Sequence, residues 1–317
     1  MRVLANLLFS LNVVFPIFAV LLLGFILRRK NFVTWEFVAQ GNKLVFHIAL
    51  PVSLFSSIYS AELDGLWDGK FVLFAVLVTL GSFGIAWGLA ELFVKDKALI
   101  GTIVQGCFRG NFAILGLPLV HNIIGEQNSA KAALIVAFII PIYNILAIVV
   151  LTTRSKQSGA LNMKGIVLTI LKNPLIIAII LGLTVNLLKI HLPSALSQIV
   201  SYVAALSSPL ALLCLGGSIQ GSFRDHKFKY ALGASIFKVF LLPLLVVSLA
   251  YLLGFTSYDL VILLVMSSVP VAVSSFPMAL QMGGDSYIAA ANVMLTTLLS
   301  VFTITAFLSV FKAAGII

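Results

Sequence analysis

The sequence predicts an all-α integral membrane protein: ten transmembrane helices in two five-helix inverted repeats, with broken crossing helices in the fourth and ninth positions. Three observations carry that prediction. Hydrophobic residues make up 61% of the 317 and charged residues 9%, with a mean hydropathy of +1.15, which excludes a water-soluble domain of this length. Ten apolar runs each reach the roughly 20 residues that span a bilayer core. Prolines and glycines of the first half recur at a nearly constant offset in the second.

The ten runs are Leu7 to Leu27, Phe37 to Tyr59, Phe71 to Val94, Ala98 to Ile124, Ala132 to Thr152, Ile166 to Leu188, Leu196 to Ile219, Tyr230 to Phe255, Leu260 to Met282 and Tyr287 to Phe311. They leave no room for a soluble domain, so residues 1–317 read as a single membrane domain. The longest polar interval, Thr153 to Gly165, reads as a linker. The first run is too long for a signal-peptide core and lacks a small-residue cleavage site, which makes it a retained span.

Arg2 alone precedes that first span, whereas Arg28, Arg29 and Lys30 follow it. Continued along the chain, Lys95, Lys97, Arg154, Lys156, Lys164, Lys172, Arg224, Lys227 and Lys229 fall on the same side as the Arg-Arg-Lys cluster, against Arg2, Lys70, Lys131, Lys189 and Lys312 on the other. The positive-inside rule then puts the protein in a cell (inner) membrane with both termini outside the cytoplasm. This distribution also accounts for the net charge of +10 without a nucleic-acid partner. Cys107 and Cys214 both lie within spans and read as small buried residues, with no disulfide expected.

Pro16, Gly24 and Pro51 stand 158 positions before Pro174, Gly182 and Pro209. Further along, Pro118, Gly125 and Glu126 stand 159 positions before Pro277, Gly284 and Asp285. The repeats therefore run from about residue 7 to 152 and from about 166 to 311. Five spans is an odd number, so the second half enters the membrane from the opposite side, a plan found in many secondary transporters.

Both fourth spans of the halves carry helix breakers. "FRGNFAILGLP", Phe108 to Pro118, holds Gly110, Gly116 and Pro118; "SSVPVAVSSFPMALQMGGD" holds Pro270 and Pro277. Proline removes a backbone donor and clashes with the preceding turn, and glycine loosens it further. Freed backbone at membrane depth is tolerated only inside protein or beside a water-filled cavity, so two discontinuous helices are expected to meet near the midplane. The restarted helices would offer N–H groups and a positive dipole end to an anion.

These same segments, together with "LVFHIALPVSLF" around Pro51, resemble the auxin efflux carrier family of membrane transporters, and the likeness covers essentially the whole chain. Its short central loop is similar to that of the bacterial members, which are linked to malate, malonate and related organic acids. The resemblance implies a scaffold of spans 1, 2, 6 and 7, a transport domain of spans 3–5 and 8–10, and a substrate site where broken spans 4 and 9 cross. It assigns the asparagine before the first crossover to Asn111 and the crossover prolines to Pro118 and Pro277. Related carriers suggest a homodimer formed through the scaffold.

Candidate substrate-binding residues are Arg109, Gly110, Asn111, Lys238, Ser274 and Ser275, with Pro118, Pro270 and Pro277 as helix-break residues. A charge at the middle of a span costs at least about 2.5 kcal/mol, so Arg109 must have a role. Two are open to it: holding a substrate carboxylate with its planar fork, or capping the carbonyl end of the broken helix. Lys238 has three: snorkelling to the cytoplasmic face, lining an anion path, or neutralising a carbonyl end. Asn111 can donate and accept, or bond between helices; Ser274 and Ser275 can cap the second restarted helix, contact substrate, or serve close packing. His47, His121 and Tyr143 read first as structural.

All ten acidic residues lie in loops or near span ends, which favours an anionic cargo. No HExxH, no paired aspartates at depth and no Ser/His/Asp grouping is present, so neither an enzyme, a cofactor nor a metal site is expected. The expected function is a secondary transporter or facilitated carrier of a small organic anion, a malate- or malonate-like dicarboxylate, working by alternating access with membrane lipid around it. A sodium-coupled organic anion symporter of a related ten-span fold and an anion channel stay open beside it.

Overall fold

The computed structural model describes residues 2–61, 68–125, 131–154, 163–218 and 225–316. The centre of the linker (155–162), Lys156, Glu126, Ile219 and Arg224 lie outside the described residues. Every described element is helical: α1 (Arg2–Arg29), α2 (Trp35–Leu44), α3 (Leu50–Tyr59), α4 (Gly69–Phe93), α5 (Lys97–Phe108), α6 (Leu117–Ile124), α7 (Ala132–Leu134), α8 (Ile140–Thr153), α9 (Met163–Leu171), α10 (Pro174–Leu187), α11 (Ser194–Ala205), α12 (Ser207–Gly217), α13 (Phe228–Ile236), α14 (Leu242–Leu252), α15 (Ser257–Ser268), α16 (Ser275–Gln281) and α17 (Ser286–Ala313).

Among the described residues, six helical stretches are long and apolar enough to cross a bilayer: Gly69–Phe93, Lys97–Ile124, Ile135–Thr153, Ser194–Gly217, Phe228–Leu252 and Ser286–Ala313. Pro174–Leu187 and Ser257–Ser268 are shorter apolar helices. The chain is therefore an all-α, multi-pass integral membrane protein.

Prolines decide where these helices change winding. Four wide π turns, Val45–Ala49, Phe112–Gly116, Ile135–Ile139 and Phe237–Leu241, lie directly before the Leu-Pro or Ile-Pro pairs at Pro51, Pro118, Pro141 and Pro243. Leu50, Leu117 and Leu242 donate five residues back, to Val45, Phe112 and Phe237. Proline cannot donate, and its ring presses on the carbonyl four residues earlier; one wider turn makes room for it. The run expected to start at Ile166 is interrupted instead: Asn173 accepts from Leu175 N–H at 2.9 Å and caps a fresh helix at Pro174. Proline is well placed in a first turn, where no N–H is needed.

Glycines set the closest helix contacts. A Cβ at Gly24 would overlap the carbonyl of Leu213, and one at Gly216 the carbonyl of Leu21, so α1 and α12 pack backbone to backbone. A Cβ at Gly182 would sit 3.0 Å from Ile58 Cβ and 3.2 Å from the Phe55 carbonyl, which brings α10 onto α3. Leu213 is 158 positions after Phe55, the offset that also relates Gly182 to Gly24. At the end of α3, Asn186 donates to the carbonyls of Ile58, Tyr59 and Ala61 at 2.9–3.1 Å, giving partners to groups a helix end leaves unpaired.

Ion pairs gather at two ends of α4–α8 and α13–α17. Lys131 bridges Asp68 at 2.7 Å and Asp259 at 3.0 Å, while Lys70 donates to the Leu253 carbonyl. Glu91 pairs with Lys97 and Arg154, and Lys227 with Asp285 at 2.7 Å. Lys70 and Lys131 belong to one side in the charge count, and Lys97, Arg154 and Lys227 to the other.

Candidate functional site

Helix α5 ends at Phe108, and the chain runs extended through Arg109 (φ −77°, ψ 122°) before winding again at Phe112. Helix α15 ends at Ser268 and winds again at Ser275. The two breaks touch: Asn111 N–H donates to the Pro270 carbonyl at 2.8 Å. Pro270 has no N–H to return the bond, and the Asn111 carbonyl instead accepts from Leu115 N–H at 3.0 Å. Val271 N–H goes to Thr296 Oγ1 on α17 at 3.0 Å. The N–H groups of Asn111 and Val271 are thus satisfied by protein, as buried groups away from water must be.

A cavity of about 130 Å³ opens against this crossing, lined by Arg109–Ile114, Ala272–Ser274, Ile140, Tyr143 and Asn144, and on its far wall by Ser53, Ser57, Ser207 and Ser208. Its size is close to the cavity of about 150 Å³ that admits benzene, so it suits a small molecule. The helix restarting at Phe112 makes its first return bond only at Leu115, which leaves the N–H groups of Phe112, Ala113 and Ile114 beside the cavity without an earlier helical acceptor.

Arg109 is the charged residue of this wall, only 3% exposed. Its guanidinium donates to Asn144 Oδ1 and to Ser274 Oγ, each at 2.8 Å, and also reaches Met278 Sδ. Asn144 is held in that orientation by donating its own Nδ2 to the Ile140 carbonyl at 2.8 Å. Every described partner of the guanidinium is neutral, so its charge is oriented without being cancelled. Of its two expected roles, capping the end of α5 is not the one its side chain takes up: the Gln105 carbonyl there accepts from the Arg109 backbone N–H.

Asn111 also lines the cavity, and its side chain makes no hydrogen bond among the described residues. Gly110 sits between the breaks, where a Cβ would meet Val269 Cγ2 at 3.1 Å, the Met266 carbonyl at 3.2 Å and Lys238 Nζ at 3.3 Å. Ser274 belongs to the cavity wall; Ser275 is buried beside it, its hydroxyl without a partner. Lys238 is fully buried, lies outside the cavity lining and donates to the Ser267 carbonyl at 2.6 Å, so it does not snorkel. Pro118 and Pro277 lie in the first turns of α6 and α16, outside the lining, whereas Pro270 supplies the carbonyl that joins the breaks.

Sequence reading did not single out Asn144, Ser53, Ser57, Ser207 or Ser208. Asn144 was visible as a lone amide in the apolar "PIYNILAI", and Ser53 and Ser57 as a pair one helical turn apart. Of the residues expected to be structural, His47 bonds its own helix through Nδ1 and the Lys43 carbonyl at 3.0 Å, and His121 is exposed. Tyr143 packs edge-on against Phe108 with ring centres 5.8 Å apart. Among the described residues no three His, Cys, Asp or Glu side chains gather as metal ligands.

Comparison with known proteins agrees with this architecture. A protein of Rhizobium meliloti (strain 1021) named "Putative malonate transporter" is 25% identical over 313 residues, covering 96% of this chain and 97% of its own length. The uncharacterized transporter YfdV of Escherichia coli (strain K12) is 25% identical over 281 residues, covering 86% and 88%. An uncharacterized transporter of Methanothermobacter thermautotrophicus is 23% identical over 299 residues, covering 93% and 96%. Residues 9–308 match the family described as "Membrane transport protein", and the chain belongs to that family: it is a membrane transporter, not an enzyme.

Proposed function

We propose that this transporter is a secondary transporter or facilitated carrier of a small organic anion, a dicarboxylate of the malate or malonate class, binding at the helix crossing and moving by alternating access. The observation that carries the reading is Arg109: a buried guanidinium in a cavity wall, fixed by neutral partners that leave its charge for a ligand. The cavity size and the free N–H groups at Phe112–Ile114 fit a small carboxylate. The name of the Rhizobium relative points to the same substrate class.

The same proposal has ten spans in two inverted repeats, within a cell membrane, with both termini outside the cytoplasm. The repeat is supported by Gly24 meeting Leu213 as Gly182 meets Phe55, each pair member displaced by 158 positions. A moving unit of α4–α8 with α13–α17 is supported by the ion pairs that tie those helices together at both ends.

The test is uptake of labelled malate into proteoliposomes, with malonate and an amino acid as competitors, for wild type and Asn111→Ala. Saturable uptake that malonate inhibits and the variant loses supports the proposal. No saturable uptake under imposed voltage, proton and sodium gradients removes the substrate class.

A further inference from the structure

Four helix ends meet at the crossing, and they differ in sign. The restart at Phe112 presents N–H groups beside the cavity, whereas at Ser275 the first N–H groups turn back to the Ala272 and Val273 carbonyls; the ends of α5 and α15 present carbonyls and the negative end of a dipole worth about half a charge each. The restart at Phe112 borders the cavity with Arg109. The negative ends need a cation of their own in a buried site, where uncompensated dipole ends are costly.

The π turn carrying Lys238 packs on α5, α15 and α17. Its ammonium bonds the Ser267 carbonyl on the last turn of α15 and lies beside Gly110, two residues past the end of α5. It is also the cation against Gly110, where a side chain would crowd it out. The neighbouring hydroxyls do not compete for this place: Ser267 and Ser268 donate back to Leu263 and Leu264, and the Val265 carbonyl is taken by Val269 N–H.

We infer that Lys238 is the crossing's built-in counter-charge: its ammonium stands where an exchangeable monovalent cation would otherwise neutralise the carbonyl end of α15. Lys238 is a positioning residue, acting through Gly110 and the end of α15 on the shape of the cavity behind them, and does not contact the ligand. The consequence is that the crossing holds its form without sodium. This builds on the proposed transport at the same crossing but does not depend on which anion is carried.

The experiment compares wild type, Lys238→Ala and Lys238→Gln in nanodiscs by thermal unfolding, and in proteoliposomes by uptake. N-methylglucamine is the sole cation, or sodium, potassium or methylammonium is added. Wild type is expected to hold one apparent Tm throughout and an uptake rate within about twofold of its value in sodium. Lys238→Ala is expected to fall by about 5 °C or more in N-methylglucamine and to recover at least half of that with methylammonium or a small alkali cation. Lys238→Gln keeps a donor for Ser267 but no charge and fills the space; it is expected to fall similarly without recovery.

A wild-type Tm in Lys238→Gln, or a destabilised Lys238→Ala that answers to no cation, overturns the inference, as does a tenfold dependence of wild-type uptake on sodium. If Lys238→Ala is recovered folded only with methylammonium present throughout purification, the inference stands; failure to fold under every cation overturns it. Because unfolding is read separately, absence of uptake in wild type would count against the substrate proposal alone.

Discussion

Asn111 and Pro270 are joined by one backbone hydrogen bond of 2.8 Å, and they stand 159 positions apart, the offset that separates Pro118 from Pro277. The bond therefore links two points related by that sequence offset, and only one direction of it is chemically possible, since proline has no N–H. Asn111 thus acts at two levels, its backbone holding the crossing and its side chain facing the cavity.

These two levels separate by mutation. Asn111→Ala keeps the N–H, so thermal stability is expected to stay within about 1 kcal/mol of wild type while apparent affinity for the anion falls about tenfold through loss of one hydrogen bond. Asn111→Pro removes the N–H and is expected to lower stability by several kcal/mol, on the order of 3. Uptake kinetics beside thermal unfolding of both variants check this; equal stability of the two would show that the Pro270 bond does not hold the crossing.

Arg109→Ala is expected to weaken anion binding about 10- to 100-fold, the range of a lost charge-assisted hydrogen bond. Arg109→Lys should rescue little, because an ammonium cannot serve Asn144 and Ser274 while presenting a planar fork to a carboxylate. Concentration-dependent stabilisation by malonate provides the readout. Wild-type affinity in Arg109→Ala would remove the guanidinium from the site.

At the α1–α12 contact, Gly24→Ala drives a methyl into the Leu213 carbonyl, a backbone atom that cannot rotate away. A cost of about 1–3 kcal/mol is expected from overpacking. The equivalent Gly182→Ala meets a side-chain carbon first, at 3.0 Å, and should cost less. Thermal unfolding of the two variants side by side tests the ordering.

Outside the spans, Asp68 and Lys131 carry a pH signature. The Lys131 hydrogen bond, with Phe71 N–H behind it, holds the Asp68 carboxyl below its ordinary value of 3.8. Burial pulls Lys131 down, but the hydrogen bonds and charges of Asp68 and Asp259 outweigh it and leave the ammonium above its ordinary 10.5. A depressed carboxylate stabilises above its unfolded value and loses that contribution as pH falls through the folded one; a raised ammonium stabilises below 10.5 and loses it at higher pH. Wild-type stability is therefore expected to drop below about pH 4 and above about pH 10.5. Lys131→Met should flatten both limbs by a small amount, since both side chains are about one-third exposed and salt-screened. Unchanged limbs in that variant would show that other groups set them.

The sequence by itself determined the class, because nothing soluble tolerates this hydropathy, and it located both breaks, because proline and glycine act on their own backbone regardless of context. It also marked Arg109 as a candidate site residue through the cost of a charge at depth. It misplaced the start of the sixth run, since hydropathy does not register that Asn173 and Pro174 begin a helix.

What it left open for Arg109 and Lys238 only tertiary structure decided. Arg109 finds Asn144 and Ser274 at separations of 35 and 165 positions, and Lys238 finds Ser267 at 29. A long cationic side chain reaches carbonyls and cavities equally well, and its choice is set by which helix ends the packing brings within hydrogen-bond distance. One basic residue ends against the Ser267 carbonyl and the other against neutral side chains beside a cavity. That division follows from the crossing of α5 with α15, which no local stretch of sequence encodes.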